Sequence, residues 1–263
     1  MFLATAPTGE KVVVKFVQLD YPWLGNGTIM RNKEVETRAN REIELIKEYS
    51  SPYLPRLYDS APQDVVIGQL TYKCYVEYYA GEESVAEMIQ NGAVPESEVL
   101  KMLTHVTSAL ELYSGDKVVH RDVKPQNIIH DITNDRYVLI DGGVHIAPYH
   151  DTITYGYVPG TEAYYSPEQA GGQRRSLDSR SDLFSLGITA YEALTTKHPF
   201  GIGARTMDDF NNNRANAIYP KIGAGIFKTT TTTVIHKLLE RYPHNRYRNP
   251  ATLLLELEEE QEE

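Results

Sequence analysis

Apolar and polar residues alternate at strand spacing near the start of the chain. Residues 2–19 hold two apolar segments joined at 7–10 by a turn sequence with Pro and Gly, which predicts a β-hairpin. In the second strand Val13, Lys15 and Val17 share one face, because side chains alternate across a strand. A lysine between β-branched neighbours on a covered face needs a counter-charge or a ligand. The alternative, an edge-strand lysine whose ammonium reaches water, stays open.

A helical period follows this hairpin. Apolar residues recur at helical spacing from Val35 to Tyr49, and Glu42 falls on the same stripe, so residues 34–49 are predicted to form a helix. Burying a carboxylate without a partner costs several kcal/mol. We therefore expect a cation beside Glu42, and Lys15 is the natural candidate.

Later segments predict further strands and helices. Strands are expected at 64–68 and 72–79. A helical stripe runs from Val99 to Tyr113, and residues 181–194 are apolar on most sides, as in a helix buried in the middle of a domain. The chain therefore predicts a β-rich first part and a helical second part.

A polar octet, HRDVKPQN, covers His120 to Asn127 and lies between the apolar runs 118–119 and 128–129. Buried flanks hold such a loop so that its side chains can be aimed. Asp122, Lys124 and Asn127 form a set that could orient a hydroxyl, neutralise developing phosphoryl charge and bind a divalent cation through hard oxygens. The alternative is a polar turn with a chance match.

A predicted strand at 137–140 ends abruptly in Asp141-Gly142-Gly143. Glycines after an acidic residue let the backbone bring the carboxylate close to a ligand. Asp141 is therefore a second candidate for cation binding.

Composition narrows the class of protein. The chain has 263 residues, 41% of them hydrophobic, which suits one bilobal unit or two small domains. The formal net charge of −10 argues against nucleic acid as a partner. A single cysteine, Cys74, excludes an intrachain disulfide and fits a reducing compartment. No apolar stretch predicts a membrane span or a signal peptide, so we expect a soluble, cytoplasmic protein without a membrane partner.

The octet resembles the catalytic loop of eukaryotic-like (Hanks-type) Ser/Thr protein kinases, in the form found in bacteria. The resemblance implies that Asp122 accepts the proton of the substrate hydroxyl, that Lys124 steadies the transferred phosphoryl group and that Asn127 binds a metal ion. Asp141-Gly142-Gly143 is similar to the family's Asp-Phe-Gly motif. By that similarity Asp141 chelates Mg²⁺ or Mn²⁺, and Gly142 stands where phenylalanine usually does.

Two upstream pieces resemble the nucleotide-binding half of the same family. A Val-Val-Val-Lys run ends at Lys15, and Glu42 lies in an Arg-Glu-Ile run; the resemblance implies an ion pair in which Lys15 also holds the α/β-phosphates of ATP. Val76 would lie at the back of the nucleotide pocket, and a plain strand and turn remains the alternative for this segment. The residues implied to bind the nucleotide are Lys15, Val13, Val76, the backbone of Glu77 and Tyr79, Glu83 near the ribose, and Ile129.

The segment from 144 to 168 resembles an activation segment that ends in Gly-Thr and Ser-Pro-Glu. By this resemblance Thr161 braces Asp122 and Lys124 and indicates a Ser or Thr acceptor. Hydroxyls at 152–161 are candidates for autophosphorylation, with Arg121 receiving the phosphate.

Two structural contacts are also implied by the resemblance. Asp182 would anchor the backbone of the catalytic loop, and Arg246 would form an ion pair with Glu168.

We therefore expect an α+β, bilobal protein-kinase-like fold. Residues 1–79 would form a small β-rich N-lobe with the start of the hinge, and 80–263 a helical C-lobe with an acidic tail, with ATP and Mg²⁺ between. The family's first strand and Gly-rich loop would precede residue 1, so we expect them to be missing. The predicted activity is ATP-dependent phosphorylation of Ser/Thr hydroxyls in protein substrates; the alternative is a pseudokinase or nucleotide-binding regulatory scaffold. The oligomeric state stays open.

Overall fold

The computed structural model describes residues 1–22, 29–58, 61–116, 118–142, 161–172, 177–223 and 225–259. The chain divides into two compact units, Met1–Ala80 and Gly81–Glu263.

The first unit is built on a four-stranded antiparallel sheet. Its elements are β1 (Phe2–Thr5), β2 (Lys11–Gln18), β3 (Asp20–Pro22), β4 (Ile29–Arg31), α1 (Lys33–Glu48), β5 (Gln63–Ile67) and β6 (Leu70–Tyr78). The sheet has the order β1-β2-β6-β5, and β3 and β4 form a separate ribbon. The predicted hairpin is present as β1 and β2, with Leu3 opposite Val13.

Helix α1 begins where Asn32 supplies an N-cap. The Asn32 side chain accepts hydrogen bonds from the backbone N–H groups of Glu34 and Val35, which satisfies two donors at the helix start. Ala39 and Ile43 are buried on its inner side. Capping and an apolar stripe together explain why the predicted helix forms at nearly the predicted bounds.

The second unit is mainly helical. Its elements are β7 (Glu83–Ser84), α2 (Val85–Asn91), α3 (Glu96–Ser114), β8 (Ile128–Asp131), β9 (Arg136–Leu139), α4 (Pro167–Ala170), α5 (Ser179–Thr195), α6 (Met207–Asn216), α7 (Thr229–Leu238) and α8 (Pro250–Glu259). Short 3₁₀ turns at Pro125–Asn127, Thr161–Tyr164, Pro199–Gly201 and Pro243–Asn245 connect them. Strands β7, β8 and β9 form a small antiparallel sheet.

Helix α5 is the core of this unit, and 13 of its 17 residues are buried. Gly187 allows close packing, because a Cβ at that position would lie 2.7 Å from Cβ of Leu238 on α7. The expectation of a buried central helix is confirmed. Together the β-rich first unit and the helical second unit confirm the predicted α+β class.

Membrane insertion of a helix finds no support in the described ranges. None of the helices there combines the length and apolarity that spanning a bilayer requires.

Candidate functional site

The loop from His120 to Asn127 is held in place by Asp182, a residue of α5. The carboxylate of Asp182 accepts a 2.8 Å hydrogen bond from the backbone N–H of His120 and a 2.7 Å bond from that of Arg121. Arg121 has a positive φ of 68°, a conformation that needs such support. Burial raises the pKa of Asp182 to about 7, although the two backbone donors act in the opposite direction. The predicted anchoring role of Asp182 is confirmed.

Three polar side chains converge within this loop. Lys124 Nζ lies 3.0 Å from Oδ1 and 2.9 Å from Oδ2 of Asp122, and Asn127 Nδ2 donates to the same Oδ2 at 2.8 Å. Asn127 Nδ2 also donates to the backbone carbonyl of Asp122 at 3.0 Å. Asp122 and Asn127 are buried, and both are held in one orientation. The structure therefore brings together the three residues that the octet singled out.

The strand end that carries Asp141 is tied to the same loop. Ile128 pairs with Leu139 in the β8–β9 hairpin, and the backbone N–H of Ile140 donates to the carbonyl of Asn127 at 2.9 Å. Asp141 follows with a positive φ of 55°, so the strand direction breaks at this residue. A side chain would fit at the neighbouring Gly142. Gly143, the last residue of the predicted motif, lies outside the described residues.

The donor set fits a hard divalent cation. Because Asn127 uses its Nδ2 atom toward Asp122, its amide oxygen is the atom suited to a metal, and Asp141 adds a carboxylate on the adjoining backbone. Amide and carboxylate oxygens are the ligands that Mg²⁺ and Mn²⁺ prefer. The residues present are therefore compatible with the predicted metal.

A second cluster lies in the first unit, around Lys15. Its ammonium is 3.2 Å from Oε1 of Glu42 on α1 and 2.9 Å from Oε1 of Glu77 on β6. Tyr75 donates its hydroxyl to Oε1 of Glu42 at 2.8 Å. Burial raises the pKa of the Tyr75 phenol, so the hydroxyl remains a donor. The structure contains the predicted ion pair and adds Tyr75 and Glu77 to it.

The register of β2 and β6 changes the interpretation of two nucleotide-site residues. Lys15 stands opposite Tyr75, Val13 opposite Glu77, and Val14 opposite Val76. Side chains alternate across a strand, so Glu77 shares the face of Val13 and Lys15 while Val76 points to the other face. The predicted place of Val76 at the back of the nucleotide pocket stays a prediction, and Glu77 contributes a side chain, not only backbone, beside Lys15.

Tyr79 follows directly after β6. Its backbone N–H donates to the carbonyl of Lys11 at 3.2 Å, so this group already takes part in the sheet edge. Lys11 also places its ammonium 5.3 Å from the centre of the Tyr79 ring. The proposed backbone contact of Tyr79 with a base stays a prediction.

Glu83 and Ile129 lie on the small sheet of the second unit. Glu83 stands opposite His130, whereas Ile129 stands opposite Ser84 and Val138. Alternation therefore puts Glu83 and Ile129 on opposite faces of that sheet. Glu83 accepts a hydrogen bond from Asn91 at 3.2 Å, which gives it a structural partner within its own unit.

The segment that begins at Thr161 is firmly held beyond its first residue. Thr161 starts a 3₁₀ turn, but its side chain and residues 143–160 lie outside what the structure describes. The carbonyl of Tyr164 accepts from Ser185 at 2.7 Å, and the Tyr164 hydroxyl donates to Glu192 at 2.7 Å. Gln169 Nε2 donates to the carbonyl of Arg121 at 3.3 Å, which links the segment to the loop at 120–127.

The ion pair between Arg246 and Glu168 is confirmed. Arg246 Nη1 and Nη2 lie 2.7 and 3.0 Å from the two carboxylate oxygens of Glu168. Burial opposes ionisation of Glu168, but the Arg246 hydrogen bonds outweigh it and lower the pKa of this carboxyl. Two parallel charge-assisted bonds make a rigid link between distant parts of the chain.

Sequence reasoning did not identify several of these residues. Tyr75, Ser185, Glu192 and Gln169 each make a side-chain hydrogen bond to a partner that is distant in sequence. The one available signal was the alternation of Tyr75 and Glu77 along a predicted strand. That signal becomes informative only when the register against Lys15 is known.

Known proteins resemble this chain along nearly its whole length. A sequence model of the family described as "Protein kinase domain" matches residues 3–255. A probable serine/threonine-protein kinase of Clostridium perfringens is 31% identical over 229 residues, which is 86% of this chain and 32% of that protein. The serine/threonine-protein kinases PknB of Mycobacterium leprae and Mycobacterium tuberculosis are each 29% identical, over 87% of this chain and 36% of theirs.

The chain spans about a third of the length of these curated relatives. The matched region includes the octet at 120–127, the strand lysine Lys15 and the anchored helix α5. This chain belongs to the protein kinase domain family.

Proposed function

We propose that this domain transfers the γ-phosphoryl group of ATP to Ser or Thr hydroxyls of proteins. The observation that carries the proposal is the buried Asp122 carboxylate, held by Lys124 and Asn127 in a loop that Asp182 anchors. Phosphoryl transfer needs little covalent chemistry from the protein, so a fixed base and fixed charges supply most of what the reaction requires.

Asp122 accepts the proton of the attacking hydroxyl. Its oxygens are oriented by Lys124 and Asn127, so the carboxylate does not have to reorganise when the proton arrives. Lys124, within 3.0 Å of both oxygens, also offers positive charge to the transferred group. The proton ends on Asp122, and the bond from phosphorus to the acceptor oxygen replaces the bond to ADP.

Asn127 and Asp141 would hold Mg²⁺ or Mn²⁺ through their oxygen atoms. When bound, the metal neutralises charge on the phosphate oxygens. The chain's own contribution is to fix these two donors through the hydrogen bond between the Ile140 N–H and the Asn127 carbonyl.

In the first unit, Lys15 is proposed to bind the nucleotide phosphates while Glu42 holds the ammonium in place. The short contact between them, with Tyr75 donating to the same carboxylate oxygen, supports this assignment. The remaining predicted nucleotide contacts rest on the sequence resemblance: Val13, Val76, Glu77, Tyr79, Glu83 and Ile129.

Protein hydroxyls are proposed as acceptors, and the relatives' printed names support a Ser/Thr preference. Thr161 would brace the catalytic loop, and autophosphorylation would occur within 152–161 with Arg121 as the receiver. Mass spectrometry after incubation with ATP and Mg²⁺ tests this site. Phosphate found only outside 152–161, or none, would remove the proposed switch. The single cysteine supports a reducing compartment, and we propose the cytoplasm.

The central test is transfer of radiolabelled γ-phosphate to a generic basic protein. We expect incorporation that requires Mg²⁺ or Mn²⁺ and is lost in Asp122→Ala. Nucleotide binding without any transfer would instead support the alternative, a pseudokinase that acts as a regulatory scaffold. Undiminished transfer in Asp122→Ala would contradict the assigned base.

A further inference from the structure

Three side chains able to bind a metal meet in the second unit, where α3 begins beside the β8–β9 hairpin. Glu98 lies in the first turn of α3, His130 lies on β8, and Asp135 lies in the turn between β8 and β9. One ligand atom of each lies within 4.8 Å of the other two, and Nε2 of His130 is 4.0 Å from Oε2 of Glu98. One imidazole with two carboxylates suits Zn²⁺, whereas Mg²⁺ prefers oxygen ligands alone.

The imidazole of His130 is held in place by Tyr137. The two residues stand opposite each other in the β8–β9 pair, so their side chains share one face of the hairpin. Their rings are stacked, with centres 4.6 Å apart and an angle of 11° between the planes. Tyr137 is fully buried, so it forms a fixed support for the imidazole.

Tyr137 also orients the carboxylate of Glu98. The Tyr137 hydroxyl donates a 2.9 Å hydrogen bond to Oε2 of Glu98. Hydrogen bonds from such outer groups commonly fix the orientation of metal ligands in proteins. One buried tyrosine therefore positions two of the three ligands. The third, Asp135, has a side chain that is 73% exposed and can adjust to a bound ion.

The same place accommodates a positive charge from the protein itself. The ammonium of Lys101 lies 3.0 Å from Oε1 of Glu98 and 2.6 Å from Oδ1 of Asp135. A zinc ion must displace this ammonium, which can turn toward water because Lys101 has a flexible side chain that is 28% exposed. Tetrahedral zinc holds its ligand atoms about 3.4 Å apart, so the three side chains need to close by about 1 Å.

We propose that Glu98, His130 and Asp135 bind one Zn²⁺ ion, with water as the fourth ligand and Lys101 displaced. The ion joins the start of α3 to the β8–β9 hairpin and so stabilises the second unit against unfolding. The proposal is independent of the proposed function, because none of the three ligands takes part in the proposed phosphoryl transfer.

The test is calorimetric titration of metal-free protein with ZnCl₂ in excess Mg²⁺, where we expect one zinc per chain. His130→Phe keeps a ring to stack on Tyr137 but removes the nitrogen ligand, and Asp135→Asn changes an exposed side chain. Each should weaken zinc binding by at least about tenfold. Lys101→Met removes the competing ammonium and should tighten binding by about tenfold.

His244→Phe is the matched control, because His244 is also stacked on a tyrosine, with its ring centre 5.5 Å from that of Tyr242. This variant should bind zinc as wild type does. Thermal unfolding gives a second measurement: zinc should raise Tm in wild type and in Lys101→Met, but not in His130→Phe or Asp135→Asn.

Three results would overturn the proposal. The first is absence of zinc binding in wild type, and the second is undiminished binding in His130→Phe or Asp135→Asn. The third is an equal loss of binding in His244→Phe and His130→Phe. Circular dichroism of the metal-free variants checks the fold, and the exposed Asp135 keeps the test decisive if His130→Phe does not fold.

Discussion

The two polar clusters of this domain are built around groups of opposite charge. Asp122 is a carboxylate that contacts the ammonium of Lys124 and the amide of Asn127. Lys15 is an ammonium that contacts the carboxylates of Glu42 and Glu77. The first cluster therefore centres on a group that can accept a proton, and the second on a cation.

The clusters also differ in how their backbones are fixed. The loop of Asp122 receives its support from Asp182, a side chain on the central helix α5. Lys15 and Glu77 are held by strand register, and Glu42 by helix α1. The geometry of the Asp122 cluster thus depends on one buried side chain, and that of the Lys15 cluster on strand pairing and on α1.

Replacing Asp122, the proposed base, should have the largest effect. In Asp122→Asn the side chain keeps its shape and its contact with Lys124 but can no longer accept a proton, so kcat should fall by about a thousandfold. Single-turnover phosphate transfer measures this, and circular dichroism serves as the folding control. A kcat within tenfold of wild type would mean that proton acceptance occurs elsewhere.

Removing the strand ammonium should have the next largest effect. Lys15→Met keeps the length of the chain but deletes the charge, and transfer should drop by about a hundredfold. The same change removes the Lys15 ammonium from the carboxylates of Glu42 and Glu77, so the free energy of unfolding should fall as well. Urea unfolding alongside the kinetic assay separates the two effects; wild-type turnover in this variant would favour the scaffold alternative.

Replacing Asp182 tests whether the Asp122 cluster depends on α5. Asp182→Ala leaves the buried N–H groups of His120 and Arg121 without this acceptor, and we expect a loss of about 3 kcal/mol in the free energy of unfolding. Asp178→Ala is the matched control, since Asp178 caps the same helix by accepting from Arg180 and should cost about 1 kcal/mol. Equal losses in urea titrations would show that Asp182 acts only as a helix-start acid.

Replacing the ion pair between Arg246 and Glu168 should have the smallest effect. Arg246 lowers the pKa of Glu168 in the folded state, so this pair stabilises the fold above the ordinary value of 4.5 and loses that contribution as pH falls below it. In the double variant Glu168→Gln/Arg246→Met the free energy of unfolding should depend less on pH in the acid range. The difference from wild type should be on the order of 1 kcal/mol if the pKa of Glu168 is lowered by one. Urea unfolding at pH 7 and pH 4 checks the difference, and an unchanged slope would argue against the pair.

Local sequence was sufficient for features that depend on period and short motifs. The hairpin, helix α1 and the octet were all predicted from residues adjacent in the chain. The resemblance further implied the Asp182 anchor and the Arg246–Glu168 pair, and both are present.

The register of the paired strands could not be predicted from the sequence. A shift of one residue exchanges the faces of a strand. Alternation puts Cys74 and Val76 on one face and Tyr75 and Glu77 on the other, and it is Tyr75 and Glu77 that the structure buries. The same parity separates Glu83 from Ile129. Pairing with a distant strand decides such positions, and no short stretch of chain encodes it.

The anchoring of the loop at 120–127 by α5 determines how that loop responds to heating. Because the N–H groups of His120 and Arg121 are bound by a side chain of the most buried helix, they should exchange with deuterium only when that helix opens. On heating, the loop should therefore lose its conformation only when the core of the second unit unfolds. We therefore expect the proposed base, Asp122, to keep its geometry up to the temperature at which the second unit unfolds.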